Sequence, residues 1–180
     1  MPVQTQIPIE VYLNTSYEPD CDFVDGELQE RDVGKTDHAR IQALLASLFG
    51  AMEDKWDVLV LTEQRVQISP TRIRIPDITV VSPGALDEDV LTRPPLICIE
   101  ILSPEDRYSR TRERALDYRR MGVENIWLID PTTRSGQMAA PAESKPGWLD
   151  TMQLFVNGSP ILIDQNDLFA RLDRSREHKA

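Results

Sequence analysis

The most apolar run in the chain is Leu96-Ile97-Cys98-Ile99-Glu100-Ile101-Leu102. A run of that length without alternation reads as a central strand buried on both faces. Ser103-Pro104 ends it. Arg107 to Met121 then reads as a helix stopped by Gly122 as a C-cap, and Ile126 to Ile129 as another strand closed by Asp130-Pro131. Strand, helix and strand in that order suggest a βαβ unit. Upstream, Ile41, Leu44, Leu45, Leu48, Phe49 and Met52 recur at steps of three and four. That is a helical period, and it predicts a helix over about 37–53 capped by Thr36 or Asp37. Val58 to Leu61 is apolar throughout, while Arg65 to Ser69 alternates as a half-buried strand does. Asp77 to Val81 is a further strand entered through Pro76, where proline is tolerated.

Turn chemistry fills in the rest. Phe23 to Leu28 reads as two short strands about Asp25-Gly26, or as a bend between one strand and the next helix. Residues 83–95 read as a loop with at most one helical turn, and 132–149 as a second loop. Met152 to Val156 and Ile161 to Ile163 pair through Asn157-Gly158, followed by a short helix over about 165–172. The expected organisation is a loose N-terminal arm (1–20), one α/β (α+β) domain (21–172) and a charged tail (173–180). The early strands are expected to join as an antiparallel meander, making the sheet mixed.

Composition narrows the function. The chain has 180 residues, 41% of them hydrophobic and 28% charged, enough for one domain with its own core. The net charge of −10 argues against binding nucleic acid over the whole surface, which calls for a basic protein; it leaves room for a local basic patch. No apolar stretch approaches the roughly 20 residues of a membrane span, and the N-terminus lacks the basic start and apolar middle of a signal peptide, so a cytoplasmic protein is expected. Cys21 and Cys98 share no CxxC spacing and have no nearby histidine. Cys98 reads as a small buried hydrophobe, with a Cys21–Cys98 disulfide left as an alternative. Nucleophile-elbow, phosphate-loop, dinucleotide and HExxH signatures are absent.

The candidate chemistry begins with Glu100, which interrupts an apolar strand. A buried carboxylate must be paired, protonated, at the strand's open end, or bound to a metal. Asp77 stands similarly at the head of an apolar strand. If the two strands are neighbours, both carboxylates point into one cleft, and a few oxygen ligands with open water positions is how magnesium is held. The alternative is that Glu100 pairs with an arginine of the next helix. That helix carries six arginines in fourteen residues. Arg107, Arg110 and Arg114 share one face, suited to gripping phosphate. The alternative is a solvated face paired with Glu113, Asp117 and neighbouring acids. His38 near a helix start and Glu27 after a turn are weaker candidates, each also readable as a surface residue.

In order along the chain stand Asp25-Gly26-Glu27, His38, Arg74-Ile75-Pro76-Asp77-Ile78, Pro95 through Glu100-Ile101-Leu102-Ser103-Pro104, Tyr118, Gly122-Val123 and Trp127-Leu128-Ile129-Asp130-Pro131. In combination, over roughly residues 20–170, they resemble the Uma-two family of proposed restriction endonucleases, a branch of the PD-(D/E)XK nuclease superfamily. The resemblance implies a restriction-endonuclease-like mixed sheet flanked by helices. It implies a Mg²⁺ or Mn²⁺ ion held by Asp77, Glu100 and the backbone carbonyl of Ile101. It also implies DNA as partner and substrate, and by analogy a homodimer. One departure stands out. The superfamily's lysine two residues after the glutamate is Leu102 here; the family's helix lysine and the aspartate four residues before it correspond to Arg114 and Arg110. Arginine steadies a phosphate but cannot act as a general base. The expectation is therefore a metal-dependent endonuclease with Asp77, Glu100, Arg114, Glu27 and His38 in its cleft. The alternatives are a non-catalytic nucleic-acid or protein interaction module on the same scaffold, and an acidic structural subunit.

Overall fold

The computed structural model describes residues 6–31, 34–86, 89–104, 108–140 and 147–174. In chain order the elements are α1 (Ile9–Leu13), β1 (Cys21–Val24), β2 (Glu27–Glu30), α2 (Thr36–Gly50), α3 (Glu53–Trp56), β3 (Leu59–Thr62), β4 (Val66–Ser69), β5 (Arg72–Arg74), β6 (Ile78–Val81), β7 (Ile97–Ile101), α4 (Tyr108–Met121), β8 (Asn125–Asp130), β9 (Ser135–Ala139), β10 (Trp148–Asp150), β11 (Gln153–Phe155), β12 (Leu162–Asp164) and α5 (Gln165–Arg174).

The main sheet has six strands in the order β10-β9-β8-β7-β6-β3. Only β7 and β8 run parallel, joined across α4 as the expected βαβ unit, and their neighbours are antiparallel. The α+β class and the mixed sheet flanked by helices therefore stand. Alternation along β7 sorts its side chains. Ile97, Ile99 and Ile101 join the large core with Ile41, Leu45 and Phe49 of α2 and Leu168, Phe169 and Leu172 of α5. Cys98 faces the other way, into a smaller core with Ala115 and Tyr118 of α4, Val123 and Ile126. The steps of three and four in α2 thus bury one stripe, as an amphipathic helix requires. Gly122, at φ +103°, follows α4 in a conformation that favours glycine.

A second sheet of four strands has the order β2-β1-β5-β4. Its β1–β2 hairpin turns at Asp25 (φ 51°) and Gly26 (φ 93°), the paired positive φ of a tight hairpin. The expected meander is corrected here: β3 and β6 pair in the main sheet, whereas β4 and β5 leave it for this second sheet. The pattern misses β5 because its Arg-Ile-Arg sequence has the composition of an exposed turn. It also misses β9 and β10, which fall in the expected 132–149 loop. Both lie toward one edge of the sheet, half-exposed and without an apolar run. The expected helix over 37–53 ends at Gly50, and α3 follows as a separate turn. Within the expected N-terminal arm, α1 buries Tyr12 against Phe23 and Ile73, and the Tyr12 hydroxyl donates to the Cys21 carbonyl at 2.6 Å. Cys21 and Cys98 are buried free thiols, which removes the disulfide alternative. No helix among the described residues is long and apolar enough to cross a membrane.

Candidate functional site

The register of the main sheet brings the two acids together. Ile78 lies opposite Ile99 and Thr79 opposite Cys98. Continued by one residue, the same register sets Asp77 opposite Glu100. Directly opposed residues share a face of the sheet, with their Cβ atoms about 5 Å apart. Both carboxylates are buried, at 4% and 3% exposure.

Each carboxylate has one oxygen on a relatively fixed donor and the other on an arginine. Asp77 Oδ2 accepts the Ile101 amide at 2.7 Å, with His38 Nε2 at 3.3 Å. Asp77 Oδ1 accepts from Arg31 Nη2 at 2.6 Å. Glu100 Oε1 accepts the Tyr118 hydroxyl, and Oε2 accepts Arg114 Nη1 at 3.2 Å. His38 and Gln42 reach the site from successive turns of α2; Gln42 Nε2 donates to the Asp77 carbonyl at 3.0 Å. The chain passes close to the imidazole at Gly34, where a Cβ would sit 2.4 Å from His38 Nδ1. That approach excludes any side chain unless His38 moves.

The two acids respond to this setting in opposite directions. Burial pushes Asp77 up, but the His38 hydrogen bond, the Arg31 charge and the Ile101 amide together hold it below the usual carboxylate range. Burial pushes Glu100 up to about 7, with the Asp77 charge adding to the rise and Arg114 and Tyr118 opposing it. Burial likewise raises Tyr118 well above the ordinary phenol value, with the Glu100 charge reinforcing it. Arg114 is raised: the charges of Glu100 and Asp22 outweigh the effect of its burial.

A second ionic group lies behind Arg114. Asp22 pairs with Gln29 across β1–β2. The β1–β5 register, continued from Phe23 opposite Ile73, sets Asp22 opposite Arg74. The row Gln29, Asp22, Arg74 meets α4. Arg74 Nη1 donates to Asp22 Oδ2 at 3.0 Å and to Gln29 Oε1 at 2.9 Å, and its Nε donates to Asp117 Oδ2 at 2.8 Å. Asp22 Oδ1 accepts the Ile75 amide at 3.0 Å. Arg114 Nε donates to Asp22 Oδ2 at 3.1 Å, so one guanidinium joins both groups.

Two hollows open around the Asp77–Glu100 group; Asp77 lines the first, and the second is lined by neither acid but by their partners Arg31 and Arg114. One, of about 290 Å³, is lined by Asp20, Arg31, His38, Gln42, Glu63 and Asp77 among others. The other, of about 440 Å³, is lined chiefly by Gln29, Glu30, Arg31, Arg110, Glu113 and Arg114, with Arg74 also in its wall. A more apolar hollow of about 210 Å³ between α4 and the β9–β10 edge includes neither acid in its lining.

Of the residues singled out from the sequence, the structure brings Asp77, Glu100, Ile101, His38 and Arg114 into one group. Arg110 is exposed and shares the larger hollow with Arg114. Arg107 lies outside the described residues. Glu27 is not brought there: it is exposed beside the Asp25-Gly26 turn, at the far end of β2 from Arg31. The Ile101 amide is committed to Asp77. Among the described residues, no group of three or more His, Cys, Asp or Glu side chains is arranged to hold a metal ion. The sequence reading missed Arg31, Asp22 and the contact Tyr118 makes with Glu100. Asp22 interrupts the apolar Cys21-Asp22-Phe23-Val24 strand much as Glu100 interrupts β7, and that signal could have found it. Arg31 sits in a polar stretch, and its partner lies 46 residues away.

Comparison with known proteins agrees with the architecture. The crystal structure of "a putative nuclease belonging to DUF820" from Anabaena variabilis superposes with a TM-score of 0.79 at 20% identity, covering 92% of this chain and 99% of that one. At that identity the likeness concerns the fold. A DrdV–DNA complex solved by electron cryomicroscopy gives a TM-score of 0.40 at 13% identity, over 77% of this chain and 11% of that one, too low to support any inference. No curated protein matches the sequence. The profile of one family, described as "Putative restriction endonuclease", matches residues 9–145. With most of its length matched and its sheet carrying the acids opposite each other, the chain belongs to the Uma2 family.

Proposed function

We propose that the protein is a divalent-metal-dependent nuclease that hydrolyses phosphodiester bonds in DNA. The observation that carries this reading is the register of β6 and β7, which sets Asp77 opposite Glu100, with Asp77 lining one hollow and the arginine partners of the two acids lining another. The donor set fits a hard cation such as Mg²⁺ or Mn²⁺, which takes carboxylate and carbonyl oxygens. The Ile101 amide and the Tyr118 hydroxyl orient one oxygen of each acid, in the manner of the outer groups that position metal ligands. The oxygens now held by Arg31 and Arg114 are those a cation would take, with the Ile101 carbonyl as a further ligand. When bound, the ion would supply Lewis acidity and water activation.

The chain's own residues do the rest. Arg114, steadied at Nε by Asp22, grips a phosphate oxygen and opposes the charge that builds up in the transition state. It remains a cation throughout and takes no proton. Arg110, one turn earlier on α4, extends the grip, and His38 keeps Asp77 ionised and oriented. A symmetric dimer would present two such sites to the two strands of a duplex.

The test is cleavage of plasmid DNA with Mg²⁺ or Mn²⁺. Asp77→Ala and Glu100→Ala are each expected to abolish metal-dependent cutting. If the unmodified chain cuts no form of DNA with either ion, the enzymatic reading fails. A non-catalytic nucleic-acid module is the second reading. It is favoured by one observation: arginines already close both carboxylates. Calorimetry showing no Mg²⁺ or Mn²⁺ binding would select it.

A further inference from the structure

Arg31 stands where the two hollows meet, and it lines both of them. It follows the last residue of β2, so its backbone is outside the strand ladder. Its Nη2 donates to Asp77 Oδ1, while its buried Nε has no hydrogen-bond partner. Arg74 is the contrast. Nε, Nη1 and Nη2 of Arg74 all donate to side-chain oxygens, and Arg74 is fully buried. An arginine placed only to complete the fold uses its donors that way, because an unsatisfied buried donor carries a desolvation penalty. Arg31, which lines the same hollow as Arg110 and Arg114, instead keeps a buried N–H unmatched. The arrangement lacks one acceptor.

We propose that Arg31 is a substrate-binding residue that changes partners. It covers Asp77 while no metal is present, and it grips a backbone phosphate of DNA beside Arg114 once a divalent cation takes Asp77. This rests on the metal-dependent reading above and adds to it the means by which two cations compete for one carboxylate oxygen. A guanidinium and a divalent ion held together on Asp77 Oδ1 would repel each other as like charges at close range. The arginine has the long flexible stem and planar donor fork suited to rebinding on phosphate. Metal and DNA binding then favour each other: the ion releases the arginine, and the phosphate keeps it away.

The test uses the full chain and two variants. Arg31→Met keeps the length and apolar stem of the side chain but removes every donor. Arg31→Lys keeps a charge and loses the fork. Mn²⁺ is titrated by calorimetry, and a labelled short DNA duplex is titrated by anisotropy with Ca²⁺ as the cation. If the covered state predominates, Arg31→Met tightens Mn²⁺ binding roughly tenfold, since the apparent affinity of a site is reduced by the fraction that is competent. The same variant weakens duplex binding by a similar factor, and Arg31→Lys lies between in both titrations. Tighter Mn²⁺ binding together with weaker DNA binding supports the exchange. Wild type that binds Mn²⁺ as tightly as Arg31→Met, or more tightly, overturns it and leaves the metal site standing. If neither binds Mn²⁺, the metal-dependent reading fails and this one with it. Should Arg31→Met not fold, Arg31→Lys decides by the same criteria.

Discussion

Two groups of buried acids and arginines lie on either side of Arg114, built from the same residue types and put to different use. In the Asp22–Arg74–Asp117 group, fixed partners hold the charges: Asp22 has Arg74, Arg114 and the Ile75 amide, and Asp117 has Arg72, Arg74 and Arg120. Its members sit on two strands and a helix that they fasten together. In the Asp77–Glu100 group, two carboxylates face each other across a strand pair and are held in opposite protonation tendencies. One of its arginines keeps an unmatched donor. The difference teaches how to tell an ionic core from an ionic site. A core pairs charges of opposite sign through rigid partners, whereas a site sets like charges together and leaves the relief of that repulsion to groups that can move.

The largest effect is expected where the first group is broken. Arg74→Met leaves Asp22 and Asp117 buried with their shared partner gone. Removing one member of a buried ionic set destabilises by about 3–5 kcal/mol, read as a fall in the urea midpoint at unchanged slope. Arg31→Met leaves Asp77 with the Ile101 amide and His38, and is expected to destabilise by much less. If Arg31→Met proves as damaging as Arg74→Met, the two groups are not different in kind.

The second prediction concerns pH. The carboxyl of Glu100 is raised from 4.5 to about 7, so the folded state holds its proton more tightly than the unfolded chain does. The stability this gives is fully present below the unfolded value. It declines as pH rises from about 4.5, and is gone once pH passes the folded value near 7. The full difference is on the order of 3 kcal/mol. Asp77, lowered rather than raised, acts in the opposite sense and only toward acid pH: its contribution is present above the unfolded value and is lost as pH falls through the lower folded one. Urea unfolding of wild type against Glu100→Gln across this range measures the Glu100 part. Wild type is expected to lose stability toward pH 7 relative to the variant. A constant difference between the two would place Glu100 in an ordinary closed ion pair.

The chemistry of the second group was more legible than that of the first, and for a physical reason. Glu100 interrupts an apolar strand and Asp77 heads another, and a carboxylate among isoleucines has few fates, so a single sequence points to both. The helical periods of α2 and α4 and the βαβ order follow from local spacing alone. The row Gln29–Asp22–Arg74 does not. Its members belong to three short strands, Arg74 and its partners Asp22 and Asp117 are 52 and 43 residues apart, and β5 has no apolar run to mark it. Arg31 is obscure for the same reason: it sits in a charged stretch, and only the fold brings it to Asp77. Local pattern reveals a residue that violates its surroundings, but not one whose surroundings are assembled from a distance.

The smallest effect separates the two groups by their exposed arginines. Arg110 lines the larger hollow beside Arg114, whereas Arg120, nearly three turns further along α4, donates to Asp117 of the closed group at 2.9 Å. Both are exposed, and both substitutions by glutamine remove one positive charge. Bulk electrostatics would make them equal. If the hollow is where phosphate sits, Arg110→Gln removes a counterion-releasing contact and lowers the salt slope of DNA binding by about one, while the affinity falls similarly for every sequence. Arg120→Gln would leave the slope unchanged, because Arg120 does not line that hollow. The measurement is log affinity against log salt for a short duplex, with the three proteins side by side. Equal slopes for the two variants would move the phosphate path off this face of α4.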